Sequence, residues 1–219
     1  MGAIVSGVGV IDKSAAVLEA LADAGGACSL ADLVARTGIS RATAHRLAVA
    51  LEVHGLVRRD AEGRFALGTR LVGLGRLAAA AWPLAEAARP ALEALRAETG
   101  ESVQLYVRDG DVRVCLVSLE SSQELRTIVA EGARLPLGLG SAGRILAGDD
   151  AGGGWVASAG EREPGVGSVS APVHDVAGSL VAAVGISGPL PRLGDDPGAR
   201  FGPAVAEAAR SVTDLLAGA

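Results

Sequence analysis

The chain has 219 residues, a formal net charge of −5 and only five aromatic side chains. With 49% hydrophobic and 21% charged residues, the composition is that of a globular protein rather than a disordered one. The scarcity of aromatic rings argues against a protein that stacks single-stranded nucleic acid on exposed side chains. An acidic chain is also a poor general binder of duplex DNA.

The net charge is unevenly distributed along the chain. Residues 1–75 carry 8 basic and 7 acidic side chains, whereas residues 76–219 carry 12 and 18. The first part is therefore close to neutral, and the acidity belongs to the second. Any DNA binding by the first part would depend on specific contacts and on dimerisation rather than on bulk attraction.

Cysteine and histidine usage predicts no metal site. Cys28 and Cys115 are far apart in the chain, and the three histidines are scattered, whereas a zinc site needs clustered ligands. Two buried free thiols in a reducing compartment are the simpler interpretation. No apolar run approaches the ~20 residues of a membrane span, and the first residues lack the pattern of a signal peptide. We expect a cytoplasmic protein without a cofactor or a membrane contact.

The first residues of the chain predict short helices. Asp12 could cap a first helix, in which apolar residues recur at helical spacing to about Ala24 and which Gly25-Gly26 ends. Ser29 begins a second helix with a capping-box variant, in which Asp32 stands in place of Glu. This second helix is short because Gly38 ends it.

A third helix and a hairpin are predicted next. Ser40 caps the third helix, which ends near Gly55. Two extended segments, 56–59 and 64–67, follow it, and residues 60–63 join them as a hairpin turn.

An alanine-rich helical pattern continues to about Thr99. Pro83 and Pro90 interrupt this pattern, because proline lacks an amide donor and disfavours helix in the preceding residue. We therefore predict a first domain over residues 1–68, a linker helix over 69–83 that breaks near Trp82-Pro83, and a second domain over 84–219.

From Ser102 onward the hydrophobic period changes to two, which is typical of strands. We predict strands over 103–107, 112–116, Leu125–Glu131, Val166–His174 and Leu180–Ser187, and helices over Gly140–Gly148 and Gly202–Leu216. Strands with a few helices at the margins indicate an α+β domain.

The segment from Ser29 to Val57 carries the most specific functional signal. Two helices flank a turn in which Gly38 can adopt the positive φ that crossing helices often need. The polar face of the third helix carries donors of the kinds that reach phosphates and base edges, and the hairpin adds arginines suited to a wing. The predicted DNA-contacting residues are Ser29, Ser40, Arg41, Thr43, His45, Arg46, Arg58, Arg59 and Arg64.

The same side chains could simply be the solvated face of a helix in a small bundle, since exposed arginines are common. The order of helix, glycine turn, polar-faced helix and basic hairpin favours a winged helix-turn-helix domain instead. Within it, Arg41, Thr43 and Arg46 are favoured over His45, because a lone histidine is more often a neutral surface or core residue.

The N-terminal part resembles the IclR family of bacterial transcription regulators, with Ser40, Thr43, His45 and Arg46 at positions that match its recognition helix. The matching segments are RFALGTRLVGLG (64–75), LPLGLGSAGRILAG (135–148), EREPGVGSVSAPV (161–173) and VAAVGISGP (181–189). The resemblance implies an α+β protein with an N-terminal winged helix-turn-helix domain, a linker helix and a C-terminal GAF-like effector-binding domain.

The resemblance also implies what the protein does. It implies a homodimer, or a tetramer, that binds double-stranded operator DNA in the bacterial nucleoid, responds to a small metabolite and is not an enzyme. GESVQLYVRDGDVRVC and GEREPGVGSVSAPV are most similar to an actinobacterial, NdgR-like subgroup linked to leucine and other amino-acid biosynthesis genes. An amino acid or a small carboxylic acid is therefore the expected effector, and repression and activation both stay open.

The family's effector pocket can be carried over residue by residue. Ser141 and Ala142 lie at the start of a short helix, where exposed amides could hold a carboxylate. The other matching positions are the hydroxyl residues Ser158, Ser168 and Ser187 and the apolar residues Leu116, Leu125 and Val129. The serines could equally satisfy backbone groups in a sheet of small residues.

The chain departs from the family pattern at one place. Family members carry a further, largely helical segment between the positions that match Leu146 and Trp155, where this chain has only AGDDAGGG. If a helix that covers the pocket is lost there, the pocket is expected to be more open.

Two other function classes can be weighed against a DNA-binding regulator. The run from Gly138 to Gly143 formally matches G-x-G-x-x-G, but no βαβ unit surrounds it, so a dinucleotide enzyme is disfavoured. Ser141 lacks the preceding glycine of the G-x-S-x-G hydrolases, and no catalytic residue is predicted. A protein-interaction module that kept the fold and lost DNA binding is the alternative.

Overall fold

The computed structural model describes residues 8–80 and 82–217. The chain divides into two compact units, Met1–Ala81 and Trp82–Ala219. The described elements of the N-terminal unit are α1 (Gly9–Asp23), α2 (Leu30–Thr37), α3 (Arg41–Val53), β1 (Val57–Arg59), β2 (Phe65–Leu67) and α4 (Arg70–Ala80). The first helix thus begins at Gly9, and Asp12 lies in its first turn instead of capping it.

The turn between α2 and α3 has the conformation that the sequence predicts. Ser29 and Asp32 form the capping box, in which the Ser29 hydroxyl accepts from the Asp32 amide and the Asp32 carboxylate accepts from the Ser29 amide. The hydrogen bonds from Ser29 lower the pKa of the Asp32 carboxyl. Gly38 ends α2 with a φ of 67° and donates its amide to the Val34 carbonyl. The predicted capping box and glycine turn are confirmed.

The start of α3 differs from the prediction. Ser40 occupies the position before α3, but its side chain caps no backbone amide. Its hydroxyl instead donates to Thr43 Oγ1 at 3.0 Å. The predicted side-chain cap by Ser40 is therefore wrong.

The hairpin packs against the helices to complete the N-terminal unit. β1 and β2 pair antiparallel, with Val57 opposite Leu67, and Phe65 also forms a bridge to Cys28 in the segment before α2. The buried core of this unit consists of Val17, Ala20, Leu21, Cys28, Leu33, Ile39, Ala44, Ala48, Leu51, Val57 and Phe65.

The C-terminal unit is built on one antiparallel sheet. Its described elements are α5 (Pro83–Thr99), β3 (Ser102–Asp109), β4 (Val112–Leu119), β5 (Arg134–Pro136), α6 (Gly140–Ala147), β6 (Val156–Ala159), β7 (Val166–His174), β8 (Leu180–Pro189), α7 (Leu190–Leu193) and α8 (Pro197–Ala217). The strands follow the order β5-β4-β3-β8-β7-β6. The predicted α+β class, with an N-terminal helix-turn-helix domain, is confirmed.

The two faces of this sheet have separate cores. Leu105, Val117 and Leu119 belong to a large cluster with side chains of α5 and α8. Tyr106 and Cys115 belong to a smaller cluster with side chains of α6.

β4 changes face because it contains a β-bulge. Leu105 pairs with Val117 and Tyr106 with Cys115, which leaves Leu116 as an extra residue without its own partner. Side chains before the bulge at 113 and 115 face α6, whereas those at 117 and 119 face the opposite core. A bulge redirects the side chains of a strand in this way.

One predicted strand is wrong. Leu125–Glu131 is an irregular loop, and the short strand after β4 is Arg134–Pro136, which pairs with the start of β4. Side chains rather than a neighbouring strand bind carbonyls of this loop: Ser102 donates to Thr127 at 2.7 Å and Arg192 to Leu125 at 2.6 Å. This segment therefore forms no strand, although it was expected to be one.

Other boundaries differ more modestly from the predictions. β6 and α7 were not predicted, and α8 begins at Pro197 rather than Gly202. α5 begins at Pro83, in agreement with the expected break, but Pro90 lies inside α5 without ending it.

We expect Gly68→Ala to destabilise the N-terminal unit. Gly68 follows β2 and donates its amide to Leu56, and a Cβ at this position would collide with the carbonyl oxygen of Gly55. Because backbone atoms must move, the free energy of unfolding should fall by about 1–3 kcal/mol. Hydrogen exchange of the α2 and α3 amides would measure the loss of protection.

Gly73→Ala is the matched control in the same unit. Gly73 lies within α4, and a Cβ there would meet nothing within 4 Å. Alanine favours helix, so protection in α2 and α3 should be unchanged or slightly increased. Equal protection in the two variants would contradict the proposed collision at Gly68.

Candidate functional site

One face of α3 is exposed and basic, and the other is buried. Ala44, Ala48 and Leu51 pack into the core of the N-terminal unit. Arg41 and Arg46 are exposed, and among the described residues neither forms an ion pair or a side-chain hydrogen bond. Their guanidinium donors are therefore available to a ligand outside the protein.

The arginines of the hairpin fall into two groups. Arg58 is exposed and has no ion-pair partner in the described part of the chain. Arg59 donates to Glu52 at 3.0 Å and lies over the Phe65 ring. Arg64 donates to Asp60 at 2.7 Å. Arg59 and Arg64 thus stabilise the hairpin itself, which leaves Arg58 as its free guanidinium.

The remaining predicted DNA contacts are placed around the start of α3. Ser29 is occupied by the capping box, and Ser40 by its hydrogen bond to Thr43, which is half-buried. His45 is exposed on α3 and meets the edge of the Phe65 ring, with 6.5 Å between ring centroids.

The C-terminal unit contains a polar cavity between α6 and the sheet. Its volume reaches about 420 Å³ only when the open solvent at its mouth is included. The lining residues are Gln104, Tyr106, Arg113, Gly140, Ser141, Ala142, Ser158, Arg162, Glu163, Val166, Ser168, Ser170, Ile186 and Ser187.

Five of the predicted effector residues meet in this cavity, namely Ser141, Ala142, Ser158, Ser168 and Ser187. The three predicted apolar residues do not line it. Leu116 packs against the core below α5 and α8, Val129 is buried in the cluster beside α6, and Leu125 is 70% exposed in its loop. The apolar part of the lining comes instead from Tyr106, Val166 and Ile186.

A row of serines crosses the sheet beneath α6. Ser158 pairs with Ser168 between β6 and β7, and Ser168 pairs with Ser187 between β7 and β8. The Ser141 hydroxyl on α6 lies 2.8 Å from Ser168 Oγ and 2.7 Å from Ser170 Oγ. These contacts join α6 to the sheet and leave small side chains around the cavity.

The first amides of α6 are already occupied. The Gly140 amide donates to the Glu161 carboxylate at 3.0 Å, and the Ser141 amide donates to Ser168 Oγ at 3.3 Å. The Ser141 amide is therefore not exposed to a carboxylate as expected, whereas the same expectation for the Ala142 amide stays a prediction.

The charged and amide groups of the cavity were not among the predicted residues. Arg113 is only 3% exposed, and its Nη1 donates to the carbonyls of Pro136 and Leu139. Burial, with Arg162 nearby, lowers the pKa of Arg113. Gln104 on β3 is buried as well. A glutamine within the apolar run of β3 is a sequence signal that could have identified Gln104. The direction of the Arg113 side chain depends on the β-bulge, for which the sequence gives no comparable signal.

Other features of the described residues bear on function. Cys28 and Cys115 are buried free thiols, as predicted, and burial raises the pKa of Cys115 to about 12. In the ranges that the structure describes, no group of three or more potential ligands could hold a metal ion. A search of the same ranges finds no helix with the length and apolar character needed to cross a bilayer.

A helix-turn-helix with free arginines on its outer helix, followed in the same chain by a domain with a polar cavity, defines a DNA-binding regulator with an effector domain. The model of the IclR helix-turn-helix domain matches residues 10–61, and that of the C-terminal domain of bacterial IclR transcriptional regulators matches residues 77–151 and 152–214. The chain belongs to the IclR family of bacterial transcriptional regulators. The second match divides within the loop between α6 and β6, the place where the sequence lacks a family segment.

Individual relatives agree with this assignment. The chain is 35% identical over 118 residues to the HTH-type transcriptional regulator KipR of Bacillus subtilis, an alignment that covers 54% of this chain and 47% of KipR. It is 27% identical to the glycerol operon regulatory protein of Streptomyces griseus, across 95% of this chain and 96% of that protein. An IclR homologue of Microbacterium hydrocarbonoxydans, solved with 4-hydroxybenzoate, has the same fold, with a TM-score of 0.77, 22% identity and coverage of 94% and 98%.

Arg46→Ala should weaken binding to an operator by about tenfold or more, because a guanidinium contact to a base or phosphate is lost. The operator would first be selected from random duplexes with the wild-type protein. Gel shifts at one fixed salt concentration would then compare the variants.

Arg210→Ala is the charge-matched control for this experiment. Arg210 is exposed on α8 and pairs only with Glu207 among the described residues. The Arg210→Ala variant should bind the operator with the affinity of the wild type. If Arg46→Ala also binds like the wild type, α3 is not the helix that reads the DNA.

Proposed function

We propose that the protein is a homodimeric transcription regulator that reads an operator with α3 and the hairpin and responds to a small effector in the cavity beneath α6. The observation that carries the proposal is the pair of free, exposed guanidiniums on α3, Arg41 at its first residue and Arg46 opposite the buried Ala44, Ala48 and Leu51. The proposed DNA contacts are Ser29, Ser40, Arg41, Thr43, His45, Arg46, Arg58, Arg59 and Arg64, with Arg41, Arg46 and Arg58 as the strongest.

Two copies would place their α3 helices in successive major grooves, about 34 Å apart. Exposed apolar side chains on α1 and α4 support an interface between copies. Val10 and Ile11 on α1 and Val72, Leu74 and Leu77 on α4 are all exposed, and exposed apolar surface of this kind marks association sites. A tetramer would need a further interface between the C-terminal units.

The effector would bind among Ser141, Ala142, Ser158, Ser168 and Ser187. Hydroxyl groups and a buried guanidinium suit an amino acid or a small carboxylic acid. The 4-hydroxybenzoate in the homologue from Microbacterium hydrocarbonoxydans is itself a small carboxylate, which supports this class. The target genes would be those of amino-acid metabolism, as in the NdgR-like subgroup that the sequence resembles.

Regulation would follow from differential affinity. An effector that binds one arrangement of the dimer better than another shifts the population of DNA-competent molecules by that difference alone. The segment from α4 to α5 joins the two units in the chain and is the proposed path of coupling.

The proposal is tested by capture of sheared genomic DNA at low salt, followed by release with single metabolites. Retention of specific fragments, and their release by one amino acid or carboxylic acid, would support the proposed regulator. If no genomic fragment is retained, the protein has lost DNA binding and the alternative of a protein-interaction module is favoured.

Ser168→Leu should abolish binding of the effector. Ser168 lies at the centre of the serine row, so a leucine there would fill the cavity and break the contacts to Ser141. Calorimetry with leucine, related amino acids and small carboxylic acids would measure the loss.

Ser179→Leu provides a matched control. Ser179 is exposed in the turn between β7 and β8, away from the cavity lining. This variant should bind the effector like the wild type. Intact binding by Ser168→Leu would mean that the effector site lies elsewhere.

A further inference from the structure

The cavity beneath α6 contains a buried cation without an anion. Arg113 is 3% exposed, and among the described residues no carboxylate lies within ion-pair distance of its guanidinium. The guanidinium lies over the Tyr106 ring, 5.2 Å from its centroid, but burying a charge without an anion is costly. Nη1 is bound to two carbonyls, but Nε has no hydrogen-bond partner in the described structure.

A second buried donor faces the same cavity. The Oε1 atom of Gln104 accepts from the Ser187 hydroxyl at 3.0 Å, whereas its Nε2 has no partner among the described residues. Gln104 is only 2% exposed. Of the three buried side-chain atoms without a partner in the described ranges, two therefore belong to residues that line this cavity, and the third is Ser118 Oγ.

The guanidinium of Arg113 is held in a fixed position. Its Nη1 is anchored at 2.8 Å to the Pro136 carbonyl and at 2.6 Å to the Leu139 carbonyl. Gly143 on α6 makes room for it, because a Cβ there would collide with Nη1. A donor that is already fixed loses little further freedom when a ligand binds.

The free edge of this guanidinium meets two serines of the row. A carbon placed where the Cβ of residue 140 would be lies 3.7 Å from Nη2 of Arg113 and 3.9 Å from the hydroxyls of Ser158 and Ser168. Nη2 of Arg113 and the two serine hydroxyls therefore converge on the same side of Gly140. The surrounding groups are all able to donate to an oxygen.

The charges of the lining favour a ligand with one net negative charge. The cavity is lined by Arg113, Arg162 and Glu163, which together carry a formal charge of +1. Arg162 and Glu163 are only loosely paired, at 3.8 Å, and Glu163 is mostly exposed. Burial, together with Arg162, lowers the pKa of Arg113, as expected where a cation lacks a counter-ion.

We propose that Arg113 and Gln104 form the anion subsite of this cavity and make it selective for a small monocarboxylate. The carboxylate binds the free edge of Arg113 beside Ser158 and Ser168. The Gln104 amide donates to the hydroxy or oxo oxygen of the ligand. A zwitterionic amino acid, with no net charge, is disfavoured relative to the hydroxy or oxo acid of the same skeleton. This inference rests on the proposed effector site.

The test uses the full chain and thermal unfolding at constant ionic strength. The probes are acetate, 4-methylpentanoate, 2-hydroxy-4-methylpentanoate, 4-methyl-2-oxopentanoate and benzoate, each paired with its neutral amide, together with leucine. At least one carboxylate should stabilise the wild type while its amide does not, and leucine should bind more weakly than its hydroxy acid. If no carboxylate stabilises more than its amide, the proposal is overturned.

Arg113→Met should weaken the affinity for the carboxylate that binds best by about tenfold or more, because a charge-assisted hydrogen bond is lost. Arg134→Met is the matched control, since Arg134 lies on the neighbouring β5, pairs with Asp109 and does not line the cavity. Unchanged carboxylate binding by Arg113→Met would also overturn the proposal.

Gln104→Leu keeps the test decisive if Arg113→Met fails to fold. This variant should bind 4-methylpentanoate and its 2-hydroxy derivative equally, whereas the wild type should prefer the hydroxy acid. If Gln104→Leu keeps that preference, Gln104 does not contact the ligand.

Capture of genomic DNA separates the two proposals. Release of bound DNA by a neutral metabolite alone would overturn the anion subsite but would leave the proposed regulator function standing.

Discussion

The extra residue at Leu116 decides which side chains the C-terminal sheet presents to α6. In a regular strand Arg113, Cys115, Val117 and Leu119 would share one face, because side chains alternate with a period of two. The bulge places the first two beside α6 and the last two in the core below α5 and α8. The positive charge of the cavity therefore depends on one inserted backbone residue in β4.

The space of the cavity comes from small side chains around that charge. Ser158, Ser168 and Ser187 stand side by side on three adjacent strands, and Gly140 of α6 faces the first two of them. Larger residues in this row would close the gap between helix and sheet, as they do on the other face. The serines that leave this space open also supply hydroxyl groups, so the cavity is lined by polar atoms.

The features that the sequence predicted well are local ones. A capping box and the left-handed Gly38 depend on residues within a few positions, which is why the helix-turn-helix can be predicted without its surroundings. Leu125–Glu131 contains the β-branched residues that favour a strand, but side chains from distant elements bind its carbonyls. Arg113 was missed for a similar reason, since its direction depends on the pairing of β4 with β3, which periodicity alone does not reveal.

The close contact between α6 and β4 links two positions that lie far apart in the chain. The guanidinium of Arg113 fills the space where residue 143 would carry a side chain. A side chain at 143 would displace the end of Arg113 from its present position, while a shorter residue at 113 would leave the Pro136 carbonyl, 3.2 Å away, as the nearest atom to a Cβ at 143. Across related chains the two positions should change together, so that a single substitution in α6 would indicate whether the charge beneath it is present.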